Sequence, residues 1–233
     1  MSLSSQPGEI AFRAHGSLRL HPWTETAYHE GSDADLYSLV MRQGAALEFA
    51  DFRGAQSPCA QWNLAEAGDC WVGGAVAPEL FWIRIPVKQS RQALPLQSAG
   101  LVLQRAVQKV GVASLDLLEV VVPLEFSRQD PMPLAYGRDW FEFSDPAGRR
   151  PATIELITAE RSWDEAEIVA KVAPWLGDCV SFGPPASQFD VVLGSDTLDF
   201  LAWVAEVFSW AVADESSGSH LQLRFTFRAE DRP

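Results

Sequence analysis

Two of the four histidines fall within residues 21–35, HPWTETAYHEGSDAD, together with several carboxylates. Imidazoles and carboxylates ligate zinc or iron and also carry out acid–base catalysis. Either use requires the groups to lie on one rigid face, such as histidines at positions i and i+4 of a helix. His21 and His29 are eight positions apart with Pro22 between them. We therefore predict no metal and no cofactor, and His21, His29 and Glu30 are the residues to test if a metal does bind.

The acidic residues of this segment also have a structural explanation. Ser32 can cap a helix over SDADLYSLVMRQG, residues 32–44, and Gly44 can end it. Acidic residues in a first helical turn, here Asp33 and Asp35, interact favourably with the helix dipole. The segment is therefore predicted to be a turn that leads into a helix.

No local catalytic signature is present in the sequence. A nucleophile elbow, a P-loop, a G-x-G-x-x-G motif and a C-x-x-C pair are all missing. The cysteines are Cys59, Cys70 and Cys179, and their odd number and irregular spacing do not predict a disulfide framework. The catalytic residues, if there are any, are left unknown, and the expected location is a reducing cytoplasm.

Two histidine segments resemble the paired His-x-Ser/Thr-x motifs of the two-histidine phosphoesterases. They are HGSL at His15 and HLQL at His220. The resemblance implies a duplicated sheet with both histidines at one site. The second motif lacks the hydroxyl residue, however, and Gly16 occupies a position where an apolar residue is usual. We therefore interpret His15 as part of a strand turn and His220 as part of the solvated face of the last strand.

The charge of the chain limits the classes of partner. The 233 residues carry a formal net charge of −13. Such a surface repels nucleic-acid phosphates and anionic membranes, and it attracts basic proteins. No run of 18 apolar residues predicts a membrane span. The predicted partners are a second copy of the chain or another protein, with a small-molecule ligand as an alternative and with nucleic acid and membrane excluded.

Periodicity predicts an α+β fold with roughly nine or ten strands and four helices. The predicted strands include EIAFR, SLRLH, ALEFADF, DWFEF and HLQLRFTFR. Alternation, which is clearest in HLQLRFTFR, favours antiparallel or mixed sheets with one solvated face. The helices are expected over 32–44, 98–111, 162–172 and 195–213, the third with a capping box formed by Ser162 and Glu165. Each half of the chain reads strand, helix, strand, which fits two ferredoxin-like halves.

The predicted domain organisation is a loose N-terminal arm, residues 1–8, and one α+β domain over residues 9–229. The segment SRQDPMPLAYG is rich in turn-forming residues and is the candidate boundary within that domain. It would divide the domain into subdomains over residues 9–127 and 137–229.

The last and longest helix carries the principal candidate binding residues. On a helical wheel, Trp203 and Trp210 fall on the same side as Asp199 and Glu206, opposite the apolar side that packs on the sheet. Three explanations are open: another segment of the chain covers this side, the side is a protein interface, or the indoles line a ligand pocket.

The sequence therefore predicts a soluble interaction protein that self-associates through the helix face bearing Trp203 and Trp210. One alternative is a small-molecule enzyme whose site is assembled from dispersed histidines and carboxylates. Another is an immunity-type inhibitor that binds a basic partner.

Overall fold

The structure, a computed structural model, describes residues 9–21, 71–72, 79–86, 96–127, 130–131, 149–159, 163–184, 188–214 and 219–228. The strands are β1 (Glu9–Leu20), β2 (Trp71–Val72), β3 (Glu79–Pro86), β4 (Gly111–Pro123), β5 (Arg150–Ile157), β6 (Val180–Phe182), β7 (Phe189–Leu193) and β8 (His220–Phe227). The helices are α1 (Leu96–Val110), α2 (Glu165–Leu176) and α3 (Leu198–Ala213). Two single-turn 3-10 helices follow β4 and α2, at Leu124–Phe126 and Gly177–Cys179.

All eight described strands belong to one sheet, in the order β2-β3-β1-β4-β8-β5-β7-β6, and every neighbouring pair is antiparallel. Six of these strands have five residues or more, whereas β2 and β6 have two and three. The α+β class is as predicted, but nine or ten strands with four helices is wrong for the described residues. The predicted strands ALEFADF and DWFEF and the predicted helix over 32–44 lie outside those residues.

The division into two ferredoxin-like halves that the sequence predicts does not produce two separate sheets. Strands β4 and β8 pair from Leu117↔Thr226 to Pro123↔His220, so the two halves of the chain join in a single continuous sheet. Outward from this junction the strand order is β4-β1-β3-β2 on one side and β8-β5-β7-β6 on the other. The two halves therefore have the same order of strands, and their strands are not divided into two sheets.

Two segments that the pattern predicts as separate strands, EIAFR and SLRLH, form the single long strand β1. The pairing of β1 with β4 shifts between His15 and Gly16, which marks a β-bulge. Gly16 has φ +154°, and a Cβ there would lie 2.0 Å from the carbonyl oxygen of Ser114. Glycine therefore lets the strand bend at this point and continue along β4.

One face of the sheet forms the core. Phe12, Val120 and Leu223 occupy neighbouring register positions and are completely buried. The alternation predicted for β8 is confirmed, since its buried positions are Leu221, Leu223, Phe225 and Phe227. The helices pack on this face: the ring of Phe208 in α3 contacts that of Phe189 in β7, with the centroids 5.3 Å apart.

Helix α3 is the central helix of the helical layer. On one side α1 approaches so closely that a Cβ on Gly100 would lie 2.4 Å from the carbonyl oxygen of Leu198. On the other side α2 contributes Trp175, which packs against Trp210. Helix α2 is capped by Asp164, whose carboxylate accepts hydrogen bonds from the amides of Ala166 and Glu167 at 2.7 and 3.3 Å. Ser162 of the predicted capping box lies outside the described residues.

The opposite face of the sheet carries a row of alternating charges, which we call the charged row: Arg13, Glu119, Arg224 and Glu155, on β1, β4, β8 and β5. The strand register places each of them beside the next. The Glu119 Oε1 atom accepts hydrogen bonds from Gln222 Nε2 at 2.9 Å and from two nitrogens of Arg224 at 3.0 and 3.1 Å. Every charge of the row thus has an opposite charge next to it.

In the part of the chain that the structure describes, none of the helices combines the length and the apolar character that crossing a membrane requires.

Candidate functional site

The two tryptophans predicted to bind a partner lie in α3 and are largely covered by the chain itself. Trp203 is 1% exposed. Trp210 is partly buried, and its ring meets that of Trp175 edge-on, with centroids 5.7 Å apart and an interplanar angle of 65°. Of the three explanations for this helix side, the structure therefore favours cover by the same chain.

The expectation that the polar side of α3 faces water is wrong. Glu206 is 3% exposed and Ser209 is completely buried, and in all 14 of the 16 residues of α3 are buried. The helix is buried all round because α1, α2 and the sheet surround it. Asp199, Glu206, Trp203 and Trp210 consequently do not form an exposed surface, and a binding role for these four residues stays a prediction.

The sequence did contain a signal for this burial. Only Asp199, Glu206 and Ser209 are polar among the 16 residues of α3. A helix that is apolar on nearly all sides is usually buried on all sides, whatever the direction in which its few polar residues point. The apolar content of α3 therefore predicts its burial better than the helical wheel does.

Among the described residues, no hydrogen-bond partner is found for Trp203 Nε1 or Asp199 Oδ1, which are polar atoms of α3 that solvent does not reach. A buried polar atom with no partner costs roughly 1–3 kcal/mol of stability. These two polar atoms therefore offset part of the stability that the packing of the apolar residues of α3 provides.

Of the three residues named for a metal, the structure describes only His21, which directly follows β1. His29 and Glu30 lie outside the described residues. The His21 Nε2 atom is 2.9 Å from the carbonyl oxygen of Gln108 in α1. Among the described residues, no group of three or more His, Cys, Asp or Glu side chains is close enough to hold a metal ion.

His21 does contribute to a cavity of about 290 Å³, which we call the α1–α3 cavity. It lies where the C-terminal end of α1, the start of β4 and the N-terminal end of α3 meet. Its polar lining consists of His21, Gln104, Gln108, Asp196 and Thr197. Its remaining lining consists of Val107, Gly111, Val112, Ala113, Leu115 and Leu198.

Arg150 fixes two parts of the cavity wall. Its Nη1 atom donates to Asp196 Oδ2 at 2.6 Å, and its Nη2 atom donates to the carbonyl oxygen of Leu115 at 2.7 Å. The guanidinium also lies over the ring of Phe227, 4.5 Å from its centroid. A guanidinium held at three points is rigid, so Asp196 and the start of β4 keep a fixed relative position.

A side-chain amide joins the two helices at the cavity. The Gln104 Oε1 atom of α1 accepts a hydrogen bond from the backbone amide of Leu198, the first residue of α3, at 2.9 Å. The backbone amide of Thr197 donates to Ser195 Oγ at 3.2 Å. Two backbone donors at the start of α3 are therefore satisfied within the chain.

The cavity brings together an imidazole and a carboxylate that are far apart in the sequence. His21 follows the first described strand, whereas Asp196 lies in the loop between β7 and α3. The sequence indicated His21 only as a possible metal ligand, and it gave no indication of Asp196, Gln104 or Arg150. No local spacing could have revealed these residues, because they meet only when α1 packs against α3.

The structure does not bring together the two histidines that resemble phosphoesterase motifs. His15 pairs with Leu117 and His220 pairs with Pro123, both on β4. These two positions of β4 are roughly 20 Å apart at about 3.4 Å per residue. His220 Nδ1 is instead 2.8 Å from Ser219 Oγ.

No protein-family model and no curated protein matches the sequence.

Proposed function

We propose that this protein binds a small molecule in the α1–α3 cavity. The observation that carries the proposal is the convergence of His21 and Asp196, from distant parts of the chain, on one cavity with apolar walls. Ligand sites typically combine an apolar lining with a few fixed polar groups, in volumes of roughly 300–1,000 Å³. The α1–α3 cavity, at about 290 Å³, lies at the lower end of that range.

The position of the polar groups is fixed before any ligand arrives. Arg150 holds Asp196, and Gln104 is tied to the start of α3. A site that is already ordered loses little conformational entropy on binding, which favours affinity. An imidazole and a carboxylate in one cavity are also the groups of an acid–base enzyme, so the enzyme alternative has the same site.

We retain a cytoplasmic location and a protein partner as parts of the proposal. Self-association through α3 has little support, because α3 is covered by its own chain. A homo-oligomer, or a basic partner neutralised by this acidic protein, would have to use another surface. The net charge of −13 supports the basic partner.

The proposal is tested by a fragment screen against ¹⁵N-labelled protein, recorded as amide chemical-shift changes. Ligands of the cavity are expected to shift the amides of Gly111, Val112 and Ala113. Ala113→Leu adds bulk inside the cavity and should weaken such ligands by about tenfold or more.

The matched control is Ala170→Leu, the same substitution at an exposed position of α2. It should leave the affinity unchanged. The proposal is wrong if no fragment shifts the cavity amides, or if Ala113→Leu and Ala170→Leu bind the same fragments equally well.

A further inference from the structure

We infer that the ligand of the α1–α3 cavity carries a positively charged amine on a small apolar body. This inference rests on the proposed function and adds the chemical class of the ligand. It follows from the charges, donors and acceptors that surround the cavity.

Asp196 carries the only carboxylate among the described residues that line the cavity, and none of those residues is a lysine or an arginine. Its Oδ2 atom is bound by Arg150, whereas the described residues donate no hydrogen bond to its Oδ1 atom. The side chain is nearly half exposed, so a ligand can reach it. A carboxylate oxygen accepts from an ammonium group in a charge-assisted hydrogen bond, which is about twice as strong as a neutral one.

The end of α1 adds negative potential on another side of the cavity. Gln108 lies in the last turn of α1, where backbone carbonyls have no partner within the helix and carry the negative end of its dipole, which Lys109 in the same turn offsets in part. His21 Nε2 donates to the carbonyl oxygen of Gln108 and so satisfies one of these carbonyls.

The start of α3 would be the natural position for an anion, but its donors are used within the chain. The amide of Leu198 is bound to Gln104, and that of Thr197 is bound to Ser195. Asp199 adds a carboxylate in the first turn. An anionic ligand would therefore meet negative charge and few available donors, whereas a cation meets acceptors.

The apolar lining defines the rest of the ligand. Val107, Val112 and Leu115 provide hydrocarbon surface beside these polar atoms. A volume of about 290 Å³ accommodates a single ring or a short alkyl chain. A primary amine on such a body satisfies both parts of the lining.

Three probes of matched shape test the inference: benzylamine, benzyl alcohol and benzoate, each titrated into the ¹⁵N-labelled full-length protein. Benzylamine should shift the amides of Gly111, Val112 and Ala113 with a Kd at least about tenfold lower than that of benzyl alcohol. Benzoate should leave these amides unchanged.

Asp196→Asn should remove the preference for benzylamine over benzyl alcohol, whereas Asp214→Asn, which removes the same charge at the exposed end of α3, should preserve it. The comparison of the three probes on the unaltered protein decides the question even if Asp196→Asn fails to fold. Equal or tighter binding of benzyl alcohol or benzoate overturns the amine inference and leaves the cavity proposal standing. The amine inference is also overturned, and the cavity proposal remains, if benzylamine has no effect while the fragment screen finds other ligands of the cavity. If the fragment screen finds no ligand at all, the proposed function itself is wrong.

Discussion

At the scale of single residues, Glu119 is a nearly buried charge of the sheet with an arginine on each side. Its side chain is 7% exposed, and it lies between Arg224, at 3.0 Å, and Arg13, at 3.9 Å. Glu155 binds the same Arg224 at 2.9 Å, but its side chain is 35% exposed. The two glutamates therefore bind the same arginine, but their side chains differ strongly in solvent exposure.

Depth is expected to decide what each glutamate contributes to stability. Glu119→Gln removes a nearly buried counter-charge that lies between Arg13 and Arg224, and it should lower the free energy of unfolding by about 2–4 kcal/mol. Glu155→Gln, the matched control, should lower it by less than about 1 kcal/mol, because solvent already screens that pair. Urea denaturation of the two variants measures both values, and equal losses would contradict the explanation by burial.

At the scale of elements, α3 connects the other two helices to the sheet. Its neighbours cover both flanks, Gly100 of α1 on one and Trp175 of α2 on the other. Trp203 is packed inside this arrangement and contacts the ring of Phe200, with centroids 5.9 Å apart. Its role in the folded chain is therefore to fill space in the helical layer.

Trp203→Ala should lower the free energy of unfolding by about 3–5 kcal/mol, the usual cost of removing a large buried ring. Trp203→Phe should cost less, about 1–2 kcal/mol, because the lost Nε1 atom has no hydrogen-bond partner among the described residues. The native mass, measured by sedimentation of the folded Trp203→Phe protein, should equal that of the unaltered protein. A lower mass for the variant together with unchanged stability would instead restore the interface explanation.

At the scale of the whole molecule, the junction between β4 and β8 unites the two halves of the chain. The register pairs seven residues of β4 with seven of β8. Arg150 adds a second connection, because it lies in β5 and binds the backbone of Leu115 in β4. The walls of the α1–α3 cavity also come from both halves of the chain.

We predict that the two halves unfold together. In urea, far-ultraviolet circular dichroism and tryptophan fluorescence should give one transition with the same midpoint, as expected for a single cooperative unit. Two separated transitions would contradict this prediction and would support subdomains over residues 9–127 and 137–229.

The local elements of this protein follow from its amino-acid sequence alone. Helices α1, α2 and α3 and the alternation of β8 follow from periodicity, because the spacing of apolar residues is set by the geometry of each element alone. The predicted number of strands exceeds that of the described residues in part because β1 passes through a bulge at Gly16, where the pattern predicts two separate strands. The α+β class followed from the same local patterns.

Which surfaces are covered, and which side chains lie close together, depends on the tertiary structure. Glu206 is polar and yet buried, because α1 and α2 flank α3, and no residue within α3 specifies those neighbours. The charged row depends on the register of four strands, and the presence of His21 and Asp196 in one cavity depends on how α1 packs against α3. Periodicity describes one element at a time, whereas burial and proximity are properties of pairs of elements that are distant in the chain.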